Sequence, residues 1–309
     1  MPQDSTYIIV ADTPYIPDVQ RALHSIKEEQ QQPRKEPQGT GAGTLFAIIF
    51  VSVVFTGPLF WNFIRRMWII RKVKATINLH WTPYDNLLQK YNPFYRNLSQ
   101  ANKARFLKRT ATFMASKKFE FQQMQPEEEI PLLISAAAVQ LTFGLKHYLL
   151  DYFDKIYVLP NVYRYGFSGH PFEGHVNRDG IYLSWNKFLE EYTDEMDGNN
   201  VGLHEMAHAL AYVNFTAHEG RDHDFRRRFV DFSETCKRIF EKVQAGETAF
   251  LGEYASTNYE EFWAVSVENF FERPQQFKTQ MPDLYDALCT LLNQDLLKPD
   301  ILIEPVEEL

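Results

Sequence analysis

The run Val201 to Val213, VGLHEMAHALAYV, restricts what this chain can fold into more than any other stretch. Leu203, Met206, Ala207, Leu210 and Val213 make a helix that is apolar on nearly all sides, and such a helix has to be buried. His204, Glu205 and His208 then sit inside a core, where an unpaired charge costs several kcal/mol. The fold must bring partners to them. Asn199 or Asn200 is a ready N-cap for a start near Val201. Positions four apart lie about 40° from one another around a helix, so both imidazoles can reach one ion while Glu205 projects to the side.

His204, Glu205 and His208 form the HExxH pattern of zinc hydrolases, in which the glutamate holds a water without ligating the metal. Coincidence would give two core histidines and a surface glutamate, yet this helix has no polar face left for the glutamate. A Zn2+ site resolves the cost of burial. A catalytic zinc keeps three protein ligands and leaves one position for water, so a third ligand is required. The extended pattern with a downstream glycine and third histidine is absent, because Ala211 and Asn214 occupy those positions. His218, His223 and Asp224 in AHEGRDHDF are candidates, as are Glu260, Glu261 and Glu268 in GEYASTNYEEFWAVSVENFFERP. The second segment reads as a helix starting near Asn258. Glu261 lies three positions after that cap, so it suits a capping box as well as it suits a metal.

The chain has 309 residues, 45% hydrophobic and 15% aromatic, enough for a real core in one large domain or two ordinary ones. A net charge of -8 argues against a nucleic-acid partner, which would need a Lys/Arg excess over one face. Only two cysteines occur, Cys236 and Cys289, without a CxxC partner. That excludes a disulfide framework or an all-thiolate zinc site and leaves two buried thiols.

Leu45 to Ile64, LFAIIFVSVVFTGPLFWNFI, is uncharged and about the ~20 residues needed to span a bilayer. WNFIRRMWIIRKVK follows with the aromatic and basic flank of a membrane interface. The run begins too far into the chain, and without a basic n-region, for a cleaved signal peptide. Arg65, Arg66, Arg71, Lys72 and Lys74 lie after it, against Arg34 and Lys35 before it, so the positive-inside rule puts the C-terminal part in the cytoplasm. The expected organisation is residues 1–44 as N-terminal segment and flexible linker, 45–64 as a transmembrane helix, 65–83 as a basic juxtamembrane connector, and 84–309 as the catalytic domain. That makes a single-pass protein of the cell (inner) membrane with its catalytic domain facing the cytoplasm.

Within the last part, Ser99 caps an amphipathic helix carrying Phe106, Thr110, Phe113 and Met114 and ending near Lys118. A buried helix follows Pro131 through LLISAAAVQLTFGLKHYLL. KIYVL and GIYLSW read as strands, and YRYGFSGHPFEGHVNRDG between them as a polar loop. Helices are expected over Val201 to Val213, Phe225 to Val243, Tyr259 to Phe271 and Leu284 to Leu292.

In LHEMAHAL, EYASTNYEEFWAVSVENFF, LSQANKARFLKRTATFMASKKFEF, and KIYVLP followed by DGIYLSW, the chain resembles the zinc peptidases typified by Mlc titration factor A, whose catalytic core is similar to that of anthrax lethal factor. The resemblance covers roughly Tyr91 to Leu292. It implies an α+β, mostly helical zincin-like metallopeptidase domain with a small sheet, here preceded by one transmembrane helix that typical soluble members lack. It further implies His204, His208 and Glu261 as zinc ligands, Glu205 as general base, Tyr254 as a tyrosine beside the metal, and GIYLSW lying along the cleft where an extended peptide can pair. The expected function is a membrane-anchored zinc metallopeptidase acting on a peptide or protein substrate. The alternative is a membrane-tethered regulatory binding protein, serving a transcription-factor or signalling partner, whose peptidase activity is incidental.

Overall fold

Short polar side chains start the helices that frame the centre of the molecule. Asn92 accepts from Tyr95 N to begin α1 (Pro93–Asn97), and Ser99 accepts from Asn102 N to begin α2 (Gln100–Ser116). The same device opens α5 (Val201–Ala211) with Asn200, α6 (His223–Gln244) with Asp222, and α7 (Tyr259–Glu272) with Asn258. Further elements are β1 (Lys118–Phe121), α3 (Glu129–Thr142), β2 (Lys155–Leu159), β3 (Gly174–Asn177), β4 (Gly180–Ser184), α4 (Trp185–Thr193), α8 (Pro274–Gln280) and α9 (Pro282–Leu292). The result is a mostly helical α+β protein with one four-stranded sheet.

This computed structural model describes residues 80–306 apart from 165–170, 194–197 and 218–221, with scattered positions between 50 and 75. The chain divides into two units, Met1–Trp61 and Asn62–Leu309. Most of the expected span Leu45–Ile64 lies outside the described residues, as do residues 1–44. Phe50, Val54, Phe60, Trp61 and Ile64 are described, helical and exposed. Among the described residues no helix is long and apolar enough to cross a membrane.

The strand order is β1-β2-β4-β3, parallel except for β3, which runs antiparallel to β4 at one edge. Ile156, Val158, Ile181 and Leu183 are fully buried on the face that meets the helices. The other face carries a stack of rings, Tyr157 on Tyr182 at 4.3 Å and Tyr182 on His175 at 4.2 Å. Two elements correct the sequence reading. Lys118–Phe121 is a strand continuing from α2, and the loop before GIYLSW contains β3. GIYLSW is therefore an inner strand, paired with β2 on one side and β3 on the other, and cannot receive a peptide directly. The bond from Ser184 N to Glu173 O, 2.8 Å, sets the alternation of the ladder. It leaves the peptide groups of Gly174 and Val176 facing out from the edge. Phe172, the preceding outward residue, is already bridged to Tyr163.

The buried helix after Pro131 is shorter than its apolar run. It ends at Thr142 because the guanidinium of Arg109, itself fully buried, takes the carbonyls of Phe143 at 3.1 Å and Leu145 at 2.9 Å. This cation at a helix C-terminus holds α2 to α3, and α3 in turn packs on α5.

Candidate metal centre

The centre is built on two buried helices crossing in the core. Trp263 of α7 is fully buried and donates its indole N–H to Ala207 O of α5 at 3.0 Å, which fixes how the two helices meet. Carboxylates pin the start of α5. Glu191 accepts from Val201 N at 2.6 Å, Glu268 from Asn200 N at 2.7 Å, and Glu272 from Gly198 N at 3.0 Å. Negative groups at the positive end of a helix are favourable, and charge-assisted bonds of this kind contribute roughly 1.5–3 kcal/mol each. Past Ala211 the helix widens into a π turn, Tyr212–Thr216, where Asn214 is buried and donates to Leu210 O.

His204 and His208 face each other with their Nε2 atoms 3.0 Å apart. Glu261 Oε2 lies 3.1 Å from His204 Nε2 and 3.4 Å from His208 Nε2. Asn258 caps α7 through Glu261 N, and the Glu261 carboxylate itself is turned to the histidines. Among the described residues this trio is the only His, Cys, Asp or Glu group whose atoms converge closely enough for a metal ion. Behind it, Glu268 accepts from His204 Nδ1 at 2.6 Å. With Nδ1 directed at Glu268, the Nε2 of His204 faces His208 Nε2 and Glu261 Oε2, three atoms that a shared positive charge, proton or metal ion, would hold together. A cation fits the donor set.

The electrostatics carry the same demand for positive charge. Burial works against a charged His204, but the carboxylates of Glu261 and Glu268 outweigh it and raise its pKa well above the ordinary imidazole value. Burial opposes the charge on Glu261 too, and the two imidazoles hold that carboxyl far below its usual range. Glu205 is buried to 5% exposure and pushed up to about 7, chiefly by desolvation, with its Oε2 lacking a hydrogen bond. Tyr254 stands on a short 3-10 turn, Tyr254–Ser256, with its ring 5.9 Å from that of His204. Burial and the nearby Glu261 raise its hydroxyl pKa, although more than half of the residue remains open to solvent.

Other sequence candidates fall elsewhere. His218 lies outside the described residues. His223 and Asp224 line a cavity of about 200 Å3 with Lys146, His147, Asp222 and Arg228. Glu268 serves His204 from behind. Sequence reasoning missed Glu272 and Glu191 as anchors of α5 and Gly174 as the neighbour of Glu205. The first had a signal: Glu261, Glu268 and Glu272 recur at i, i+7 and i+11, one acidic stripe on an apolar helix.

Two imidazoles on one helix meet a glutamate on a second, with the Glu205 carboxylate buried beside Gly174 of the sheet, and the trio of His204, His208 and Glu261 could hold a metal ion. The chain belongs to the family described as Glucose-regulated metallo-peptidase M90, whose profile matches residues 65–292, more than half of the sequence. It is 26% identical over 215 residues to an uncharacterised protein of Synechocystis sp., slr2042, covering 63% of this chain and 78% of that one. Mlc titration factor A of Escherichia coli is 25% identical over 129 residues, 38% of this chain and 46% of that protein. The counterpart in Shigella flexneri matches to the same extent. The match thus spans about half the length of those titration factors.

Proposed function

We propose that this chain is a membrane-anchored zinc metallopeptidase that cleaves peptide bonds at the His204, His208 and Glu261 centre. The observation that carries the reading is the convergence of two Nε2 atoms and one carboxylate oxygen within 3.4 Å of one another, beside a buried Glu205. Two imidazoles and a carboxylate suit zinc, and ligands about 2.0–2.2 Å from a tetrahedral ion lie close to these separations. Zinc held there would supply Lewis acidity to the attacking water and the scissile carbonyl.

The chain's own groups do the rest. Glu205, with a pKa near 7, takes the proton of the attacking water and later delivers it to the leaving amine. Tyr254 donates its hydroxyl proton to the oxyanion, and its exposure leaves it within reach of a substrate. Glu268 fixes the tautomer of His204. An extended peptide would add to the outward peptide groups of Gly174 and Val176, next to Glu205. The zincin-like architecture, the domain division at residues 44, 64 and 83, and a cytoplasm-facing location belong to the same proposal.

The test is Glu205→Gln in the full chain. Zinc content measured by atomic spectroscopy should stay at the wild-type level while peptide hydrolysis falls by at least 100-fold. Hydrolysis at the wild-type rate would remove Glu205 from the mechanism.

A further inference from the structure

Glu205 has a carboxylate buried to 5% exposure, and one of its oxygens has no hydrogen-bond partner. Polar anchors therefore do not explain where it points. The edge strand does. A Cβ built on Gly174 would stand 2.5 Å from Glu205 Cγ, 2.7 Å from Oε1 and 2.8 Å from the carboxyl carbon. Real Cβ atoms do not approach other atoms so closely, so any side chain at 174 has to displace Glu205. Gly174 has no positive φ, and its place in β3 opposite Leu183 is open to any residue on backbone grounds. Only the space taken by Glu205 demands glycine there.

We infer that Gly174 is a positioning residue: its bare Cα forms the wall against which the Glu205 side chain is wedged, between the edge strand and the His204, His208 and Glu261 cluster. The general base is placed by packing rather than by hydrogen bonds. This leaves Oε2 uncommitted to any protein donor and able to take a proton from water. It rests on Glu205 being the base, and one arm of its test does not.

The test pairs Gly174→Ala with Glu205→Ala in the full-length protein. Against wild type, Gly174→Ala should lower kcat by at least 100-fold with KM within about threefold and zinc content unchanged, since the displaced group is the base and not a ligand. By thermal unfolding, the added methyl should lower Tm in the wild-type background and leave it unchanged in the Glu205→Ala background, where the space is vacant. A kcat within threefold of wild type would overturn the proposal. So would an equal fall in Tm, or no fall, in both backgrounds. If no form of the protein hydrolyses peptides, the enzymatic reading fails by itself, and the two Tm differences still decide whether Gly174 and Glu205 are wedged together.

Discussion

At the scale of single residues, the centre is a place where lone pairs outnumber protons. The carboxylates of Glu261 and Glu268 outweigh burial and raise the pKa of His204 well above the ordinary imidazole value, and a zinc ion bound as proposed would take the place of a proton at Nε2. A raised pKa means that the metal-free site holds its proton below that value and gives it up on binding. Zinc binding near neutral pH should therefore release about one proton, and affinity should fall as pH is lowered. Calorimetric titration in buffers of different ionisation enthalpy measures this directly. Heats independent of the buffer would contradict the assignment. His204, Glu205 and His208 were legible in the sequence because their constraint is local: polar groups on an all-apolar helix. Glu261 was visible only as one of several acids, since spacing alone fits a cap as well as a ligand. Gly174 was not legible, because what demands a glycine there is a side chain on another element.

Among the elements, those with strong local signals were readable and those defined by distant pairing were not. Capped helices such as Gln100–Ser116 and Tyr259–Glu272 declare their starts through Ser99 and Asn258. The strands KFEF and GHVN are four residues each, too short for their pattern alone to declare them, and exist because β2 and β4 offer ladders to pair with. The end of α3 is likewise set from outside, by Arg109 on α2. Replacing it by Met should leave those carbonyls buried and unpaired, at a cost of roughly 3–5 kcal/mol in urea unfolding. A loss below about 1 kcal/mol would mean that water or neighbouring groups already satisfy the turn.

For the whole molecule, the family profile begins at residue 65, just after the apolar run, so the proposed anchor lies outside the part shared with the family. The exposed Phe50, Val54, Phe60 and Trp61 are side chains that lipid would cover. Full-length protein expressed in a bacterium should remain with the membrane pellet after alkaline carbonate washing. Its appearance in the supernatant would reject the anchor and leave the peptidase centre untouched.

The helix that contributes Glu261 also grips the first turn of the histidine helix through Glu268 and Glu272, and Trp263 welds their middles. The two halves of the socket are parts of a single rigid strut. An ion arriving there finds its geometry already made, so losing it should empty a receptacle without dismantling the building around it.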